Sequence, residues 1–175
     1  MTPFFSRCLR GLLPVLLAAC WSCAGATETA GENAVRAVLL FNLLRFSELP
    51  ADRAQQADLV VCVASADPEF QAAMRSLRER RVRGMTLDVR PPGEGARCDV
   101  IYADSRARWQ AVHGLADTAH ALTVGLYPEF INDGGLVAVE IQQGRPRFDI
   151  HQAAARQAGI RFNPQLLRLA RRLVE

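Results

Sequence analysis

The 175-residue chain carries 21 basic against 18 acidic side chains, a formal charge of +3, and half of its residues are hydrophobic. Every basic residue is arginine, which excludes Schiff-base lysines, a P-loop lysine and Ser-Lys dyads. The near-balance of charge argues against nucleic-acid binding, and the length fits one domain behind a leader.

Residues Met1 to Ala26 read as a secretory signal peptide. Arg7 and Arg10 supply charge, Gly11 to Ala19 a short apolar core, and Ala24-Gly25-Ala26 an A-x-A cleavage site. That core is shorter than the roughly 20 residues needed to span a bilayer. Leu17-Ala18-Ala19-Cys20 offers a competing lipoprotein box, in which Cys20 becomes the acylated first residue. Cleavage after Ala26 leaves an even cysteine count, whereas acylation at Cys20 strands Cys23 as an odd thiol. The chain therefore divides into a leader, 1–26, and a mature domain, 27–175, that is soluble or lipid-anchored. Cys20-Trp21-Ser22-Cys23 has C-x-x-C spacing but lies in the leader, where no strand precedes it as in a thioredoxin-type site.

Thr27 to Asn33 read as a frayed start, and Ala34 to Phe46 predict a helix that is apolar almost all round. Such a helix is either buried on most sides or presents a surface to something else; Leu49-Pro50 is expected to end it. Leu59 to Ala64 is a continuous apolar run, the pattern of a strand covered on both faces. Asp67-Pro68 predicts a capped helix through Phe70, Met74 and Leu77 to about Val82–Gly84. Arg75, Arg78, Arg80, Arg81 and Arg83 would then crowd its C-terminus, where the macrodipole favours cations; an acidic partner surface is the other reading.

Met85–Val89 reads as a strand, Pro91–Gly95 as a loop, Cys98–Ala103 as a strand, Arg106–Asp117 as a helix and Ala121–Gly125 as a strand. Asp133-Gly134-Gly135 is a turn, and Val137, Val139 and Ile141 alternate as in a half-buried strand. Gln143-Gly144 closes a hairpin onto Arg147–Ile150. A helix over Gln152–Ala158 ends at Gly159 in the C′ position. Asn163-Pro164 starts a last helix with Leu166, Leu167, Leu169, Ala170 and Leu173 on one face and Arg168, Arg171 and Arg172 on the other. The expected fold is α/β: a single layered domain with a mixed β-sheet flanked by helices.

The mature domain keeps only Cys62 and Cys98. Both lie in predicted strands, so they are either two buried free thiols or, in an oxidising compartment, a disulfide. A bridge would close a loop of about 37 residues, for roughly 4 kcal/mol on the chain-entropy estimate.

Tests for catalysis and metals come out negative. His113, His120 and His151 have no zinc-ligand spacing; His113 and His120 would share a helix face only if the helix reached that far. No serine sits in G-x-S-x-G, and no G-x-G-x-x-G or Walker loop occurs. Neither a catalytic residue, a metal site nor a cofactor is expected.

The mature chain resembles the YfiR family of periplasmic proteins, the group that includes HmsC. The C-terminal block carries the most specific likeness: Phe148-Asp149-Ile150-His151, Ala158-Gly159-Ile160 and Leu166-Leu167-Arg168-Leu169-Ala170, against F-x-I-N, A-G-L and L-L-x-L-A. Leu122-Thr123-Val124 with Phe130 and Gly134-Gly135, Val61-Cys62-Val63 with Pro68-Glu69-Phe70, Cys98 to Tyr102, and Phe41-Asn42 with Arg45-Phe46 also fit. Three departures stand out. Leu49-Pro50 replaces the usual W-P, His151 stands where Asn is usual, and cysteines for a second, C-terminal disulfide found in some members are absent.

The resemblance implies the Cys62–Cys98 disulfide and a periplasmic negative regulator rather than an enzyme. Such a protein binds the periplasmic sensor domain of a membrane diguanylate cyclase and keeps cyclic-di-GMP, exopolysaccharide and biofilm output low. An outer-membrane lipoprotein is a second candidate partner, and a homodimer is compatible with the sequence. Phe41, Arg45 and Phe46 are the candidate partner-binding residues, because the first helix has more apolar circumference than one core-facing stripe; ordinary burial is their other reading. A stand-alone periplasmic small-ligand-binding domain is the alternative function, marked by an aromatic-lined pocket with convergent arginines.

Overall fold

A computed structural model describes residues 24–93, 95–113 and 116–175. In chain order its first elements are α1 (Ala24–Arg45), β1 (Ser47–Glu48), α2 (Ala51–Ala54), β2 (Asp58–Ala64) and α3 (Pro68–Arg75). Next come β3 (Arg81–Val82), β4 (Met85–Arg90), β5 (Val100–Ala103), α4 (Arg106–His113) and β6 (Leu122–Gly125). A 3-10 turn at Pro128–Ile131 leads to β7 (Val137–Gln142), β8 (Arg145–His151) and α5 (Gln152–Gln157). The chain closes with β9 (Arg161–Phe162), α6 (Pro164–Leu169) and β10 (Arg172–Val174). The leader through Cys23, with its lipoprotein box and C-x-x-C spacing, lies outside the described residues.

The main sheet has eight strands in the order β10-β8-β7-β6-β5-β2-β4-β3, and β1 pairs with β9 in a small second sheet. Strands β4, β2, β5, β6 and β7 run parallel; β3 and β8 oppose them, and β10 lies parallel to β8. The single α/β domain with a mixed sheet expected from the sequence is thus what forms. The apolar run of β2 is central and buried from Leu59 to Ala64 because helices cover both faces. From β2 the chain leaves through α3 to β4 on one side, then crosses back without a helix to β5 on the other. This is the doubly wound arrangement, with its switch point between β2 and β5.

Strand alternation divides the core in two. Leu59, Val61, Val63, Val100 and Tyr102 face the larger cluster, under α1, α3, α5 and α6. Val60, Cys62, Ala64, Ile101 and Ala103 face a smaller one built on Trp109, Val112 and Phe130. The β7–β8 hairpin turns as read, with Gln143 and Gly144 at φ 51° and 71° and Gln142 opposite Arg145.

Three helices depart from expectation. α1 begins at Ala24, ten residues before the predicted start, and stops at Arg45, ahead of Leu49-Pro50. α3 is capped as read, the Asp67 carboxylate accepting from the backbone N–H groups of Glu69 and Phe70 at 2.9 and 3.2 Å. It stops at Arg75 rather than near Val82. Glu79 turns at φ 68°, its N–H donates to the Leu87 carbonyl, and the Leu87 N–H returns to Arg80. Only Arg75 of the basic cluster therefore stands at the helix end, and the macrodipole account fails for the other four. α4 is described over Arg106–His113, residues 114 and 115 lie outside the described residues, and 116–120 are not helical, so His113 and His120, both exposed, share no helix face.

The last predicted helix is also cut short. Beyond Leu169 the chain extends into β10, leaving Leu169 and Leu173 73% and 42% exposed instead of on a common buried face. The cause is Asp149, buried in β8. Arg171 donates to both of its carboxylate oxygens at 2.9 and 3.1 Å, and Arg172 adds a third bond at 3.0 Å. A buried carboxylate needs such partners, and they draw the chain onto the sheet edge.

The Arg171 hydrogen bonds, reinforced by the charges of Arg171 and Arg172, hold the Asp149 carboxyl below the usual aspartate range. A depressed folded-state pKa means the contribution is complete at neutral pH and is lost as pH falls through the unfolded and then the folded value. Melting temperature is expected to fall more steeply between about pH 5 and pH 3 in the parent chain than in Asp149→Asn. Circular dichroism melts giving parallel curves for the two would argue against this.

Candidate functional site

The structure joins Cys62 to Cys98, with Cα atoms 5.7 Å apart. Cys62 pairs in register with Arg90 of β4 and Ile101 of β5, at the middle of the sheet. Cys98 enters β5 from the helix-free crossover, so the bridge fixes the end of that crossover against the central strand. Both cysteines are completely buried in the smaller core. Beside them Asp99, also buried, takes two bonds from Arg97 at 3.0 and 2.7 Å, one from Arg53 at 3.3 Å and the Val60 N–H at 2.8 Å.

α1 presents two different sides. Ala37, Leu40, Leu43 and Leu44 enter the larger core. Arg36 turns back toward its own helix, meeting Glu32 and, at 3.1 Å, the side-chain oxygen of buried Asn33. The outer side runs Ala34, Val38, Phe41 and Arg45, at the helical spacing that makes neighbours on one surface. Val38 is 59% exposed.

An apolar hollow of about 300 Å³ opens on this side, lined by Ala34, Val35, Val38, Leu39, Asn42 and Pro146 of β8. Of the three sequence candidates, Arg45 is exposed, while Phe41 and Phe46 are half-buried and pack on the larger core. Phe46 also sends its carbonyl to the Asn163 N–H, tying the helix exit to α6. Phe41 and Arg45 therefore belong to the outer stripe, and Phe46 belongs to the hinge into β1. Val38 was missed, although its spacing from Ala34 and Phe41 was legible; Pro146 is distant in sequence and left no signal.

This surface offers apolar contact beside one exposed cation, Arg45. Apart from the Asn42 amide its side chains are apolar or cationic, and the lining holds no nucleophile or acid–base pair. Among the described residues no helix is long and apolar enough to cross a membrane, and no three His, Cys, Asp or Glu side chains cluster as metal ligands. His151 is committed to structure: its Nδ1 accepts from the Ala154 N–H at 3.2 Å and caps α5.

The chain thus forms a doubly wound α/β domain stapled through its central strand, with the outer side of one helix left uncovered. A family model described as YfiR/HmsC-like matches residues 33–171, and the chain belongs to that family.

Proposed function

We propose that this protein is a periplasmic negative regulator that binds the sensor region of an inner-membrane diguanylate cyclase and holds the cyclase inactive. Membership of the YfiR/HmsC-like family over residues 33–171 carries the reading. An exported chain fits this reading: the sequence reads as a leader to be cleaved after Ala26 or acylated at Cys20, and the Cys62–Cys98 bridge suits an oxidising compartment. The outer stripe of α1 is the docking surface. An exposed apolar patch beside a cation fits a partner surface of mixed character better than a small polar ligand. Binding one sensor conformation more tightly than the other shifts the cyclase toward the inactive state by that difference in affinity.

Deleting the gene is expected to raise cellular cyclic-di-GMP and exopolysaccharide; no rise would sink the proposal. Val38→Glu, which places a charge in the α1 hollow without touching the core, is expected to weaken sensor binding about tenfold or more. The variant should keep the parent melting temperature. Full repression by a folded Val38→Glu, Arg45→Glu double variant would move the docking surface elsewhere.

A further inference from the structure

A second hollow, of about 450 Å³, lies at the carboxyl ends of β2 and β4, between α3 on one face of the sheet and α4 on the other. This is the carboxyl-end side of the doubly wound sheet, the side on which such folds bind ligands, one strand over from the switch point between β2 and β5. Among the described residues of the crossover from β4 to β5 there is no helix, and Pro91 and Pro92 line the crevice there. It shares no residue with the hollow on α1.

Four arginines line it, Arg75, Arg78, Arg90 and Arg108, and among the described residues no carboxylate does. Each is held by part of its guanidinium. Arg78 donates to the Val89 carbonyl, Arg90 to the Arg97 carbonyl at 3.0 Å, Arg75 to the Gln71 side chain at 3.4 Å, and Arg108 lies 3.3 Å from Asp104. A guanidinium has five donors, so each keeps N–H groups for something else. Asp104 and Asp88 offset Arg108 and Arg90. Among the described residues Arg75 and Arg78 have no carboxylate within ion-pair distance.

Arg75 and Arg78 leave the hollow with an excess of positive charge among the described residues, a cost that a bound anion relieves. The planar fork of arginine matches the geometry of phosphate and carboxylate oxygens. Val63, Val89 and Ala111 give the remaining wall an apolar character. We infer that this crevice is a binding site for a small molecule bearing two or more oxyanion groups, phosphate or carboxylate. The site is independent of the cyclase reading and of the α1 surface.

Isothermal titration calorimetry on the mature protein tests it, with pyrophosphate and citrate as probes and sodium chloride at matched ionic strength as the control. Saturable binding of at least one probe is expected, the tighter one assigning phosphate or carboxylate chemistry. Arg75→Gln with Arg78→Gln should weaken that probe by about tenfold or more, since charge-assisted bonds are lost. Arg108→Gln is the second variant should the double substitution fail to fold. Arg168→Gln, on α6 and away from the crevice, should bind as the parent does. Heats no different from sodium chloride for both probes, or affinity unchanged in the crevice variants, would overturn the assignment.

Discussion

Cutting the Cys62–Cys98 bridge is expected to lower the melting temperature by roughly 8–16 °C. The bridge spans a sequence separation of 36, and closing such a loop removes about 4 kcal/mol worth of unfolded-state freedom. A domain of this size shifts by about 2–4 °C per kcal/mol. The effect should be the same for dithiothreitol treatment as for a Cys62→Ser, Cys98→Ser double variant, because either frees the crossover from β2. Calorimetry in both forms decides it: coincident transitions with and without reductant would remove the bridge from the stability of the domain. The same reduction should leave the larger core under α1 paired, since its side chains come from the opposite face of the sheet.

Phe130→Ala should be comparably severe, at about 3–5 kcal/mol. The ring is fully buried in the 3-10 turn, edge-on to Trp109 and Tyr127 at 4.9 and 5.3 Å. It also lies flat against backbone. A Cβ added at Gly125 or Gly135 would fall 2.2 or 2.1 Å from its atoms. These glycines serve packing; the left-handed conformation in this turn belongs to Gly134, at φ 87°. Gly135→Ala should therefore cost about 1–3 kcal/mol by overpacking, and much less in the Phe130→Ala background, where the space is vacant. Chemical denaturation of the four chains gives the coupling. Additive costs would show that Gly135 is retained for another reason.

What the sequence disclosed follows from how local each cause is. The runs 59–64 and 98–103 are apolar because both faces are covered, and that pattern reveals a parallel strand without its neighbours. The Asp67-Pro68 cap and the Gln143-Gly144 turn are set by residues in contact along the chain. The strand order is not, and neither are the ends of the helices. α6 stops because Arg171 and Arg172 reach Asp149, 22 and 23 residues earlier. α3 stops because Glu79 and Arg80 pair with Leu87. The arginines of the crevice come from α3 and the turn after it, β4 and α4, so the cluster visible at 75–83 pointed only halfway to it. That Phe41 and Arg45 share one side of α1 was legible because helical spacing is local. The hollow on that helix needed Pro146, which only the fold brings there.

The placement of Trp109 has a practical result. Trp21 lies in the leader, so a chain processed after Ala26 keeps a single indole, 2% exposed and donating to the Asp133 carbonyl at 3.0 Å. Its fluorescence watches one face of the sheet, the face that holds the cystine, and is blind to the other. Comparing emission with far-ultraviolet dichroism during reduction would therefore separate loosening around α4 from collapse of the whole domain, with no label added.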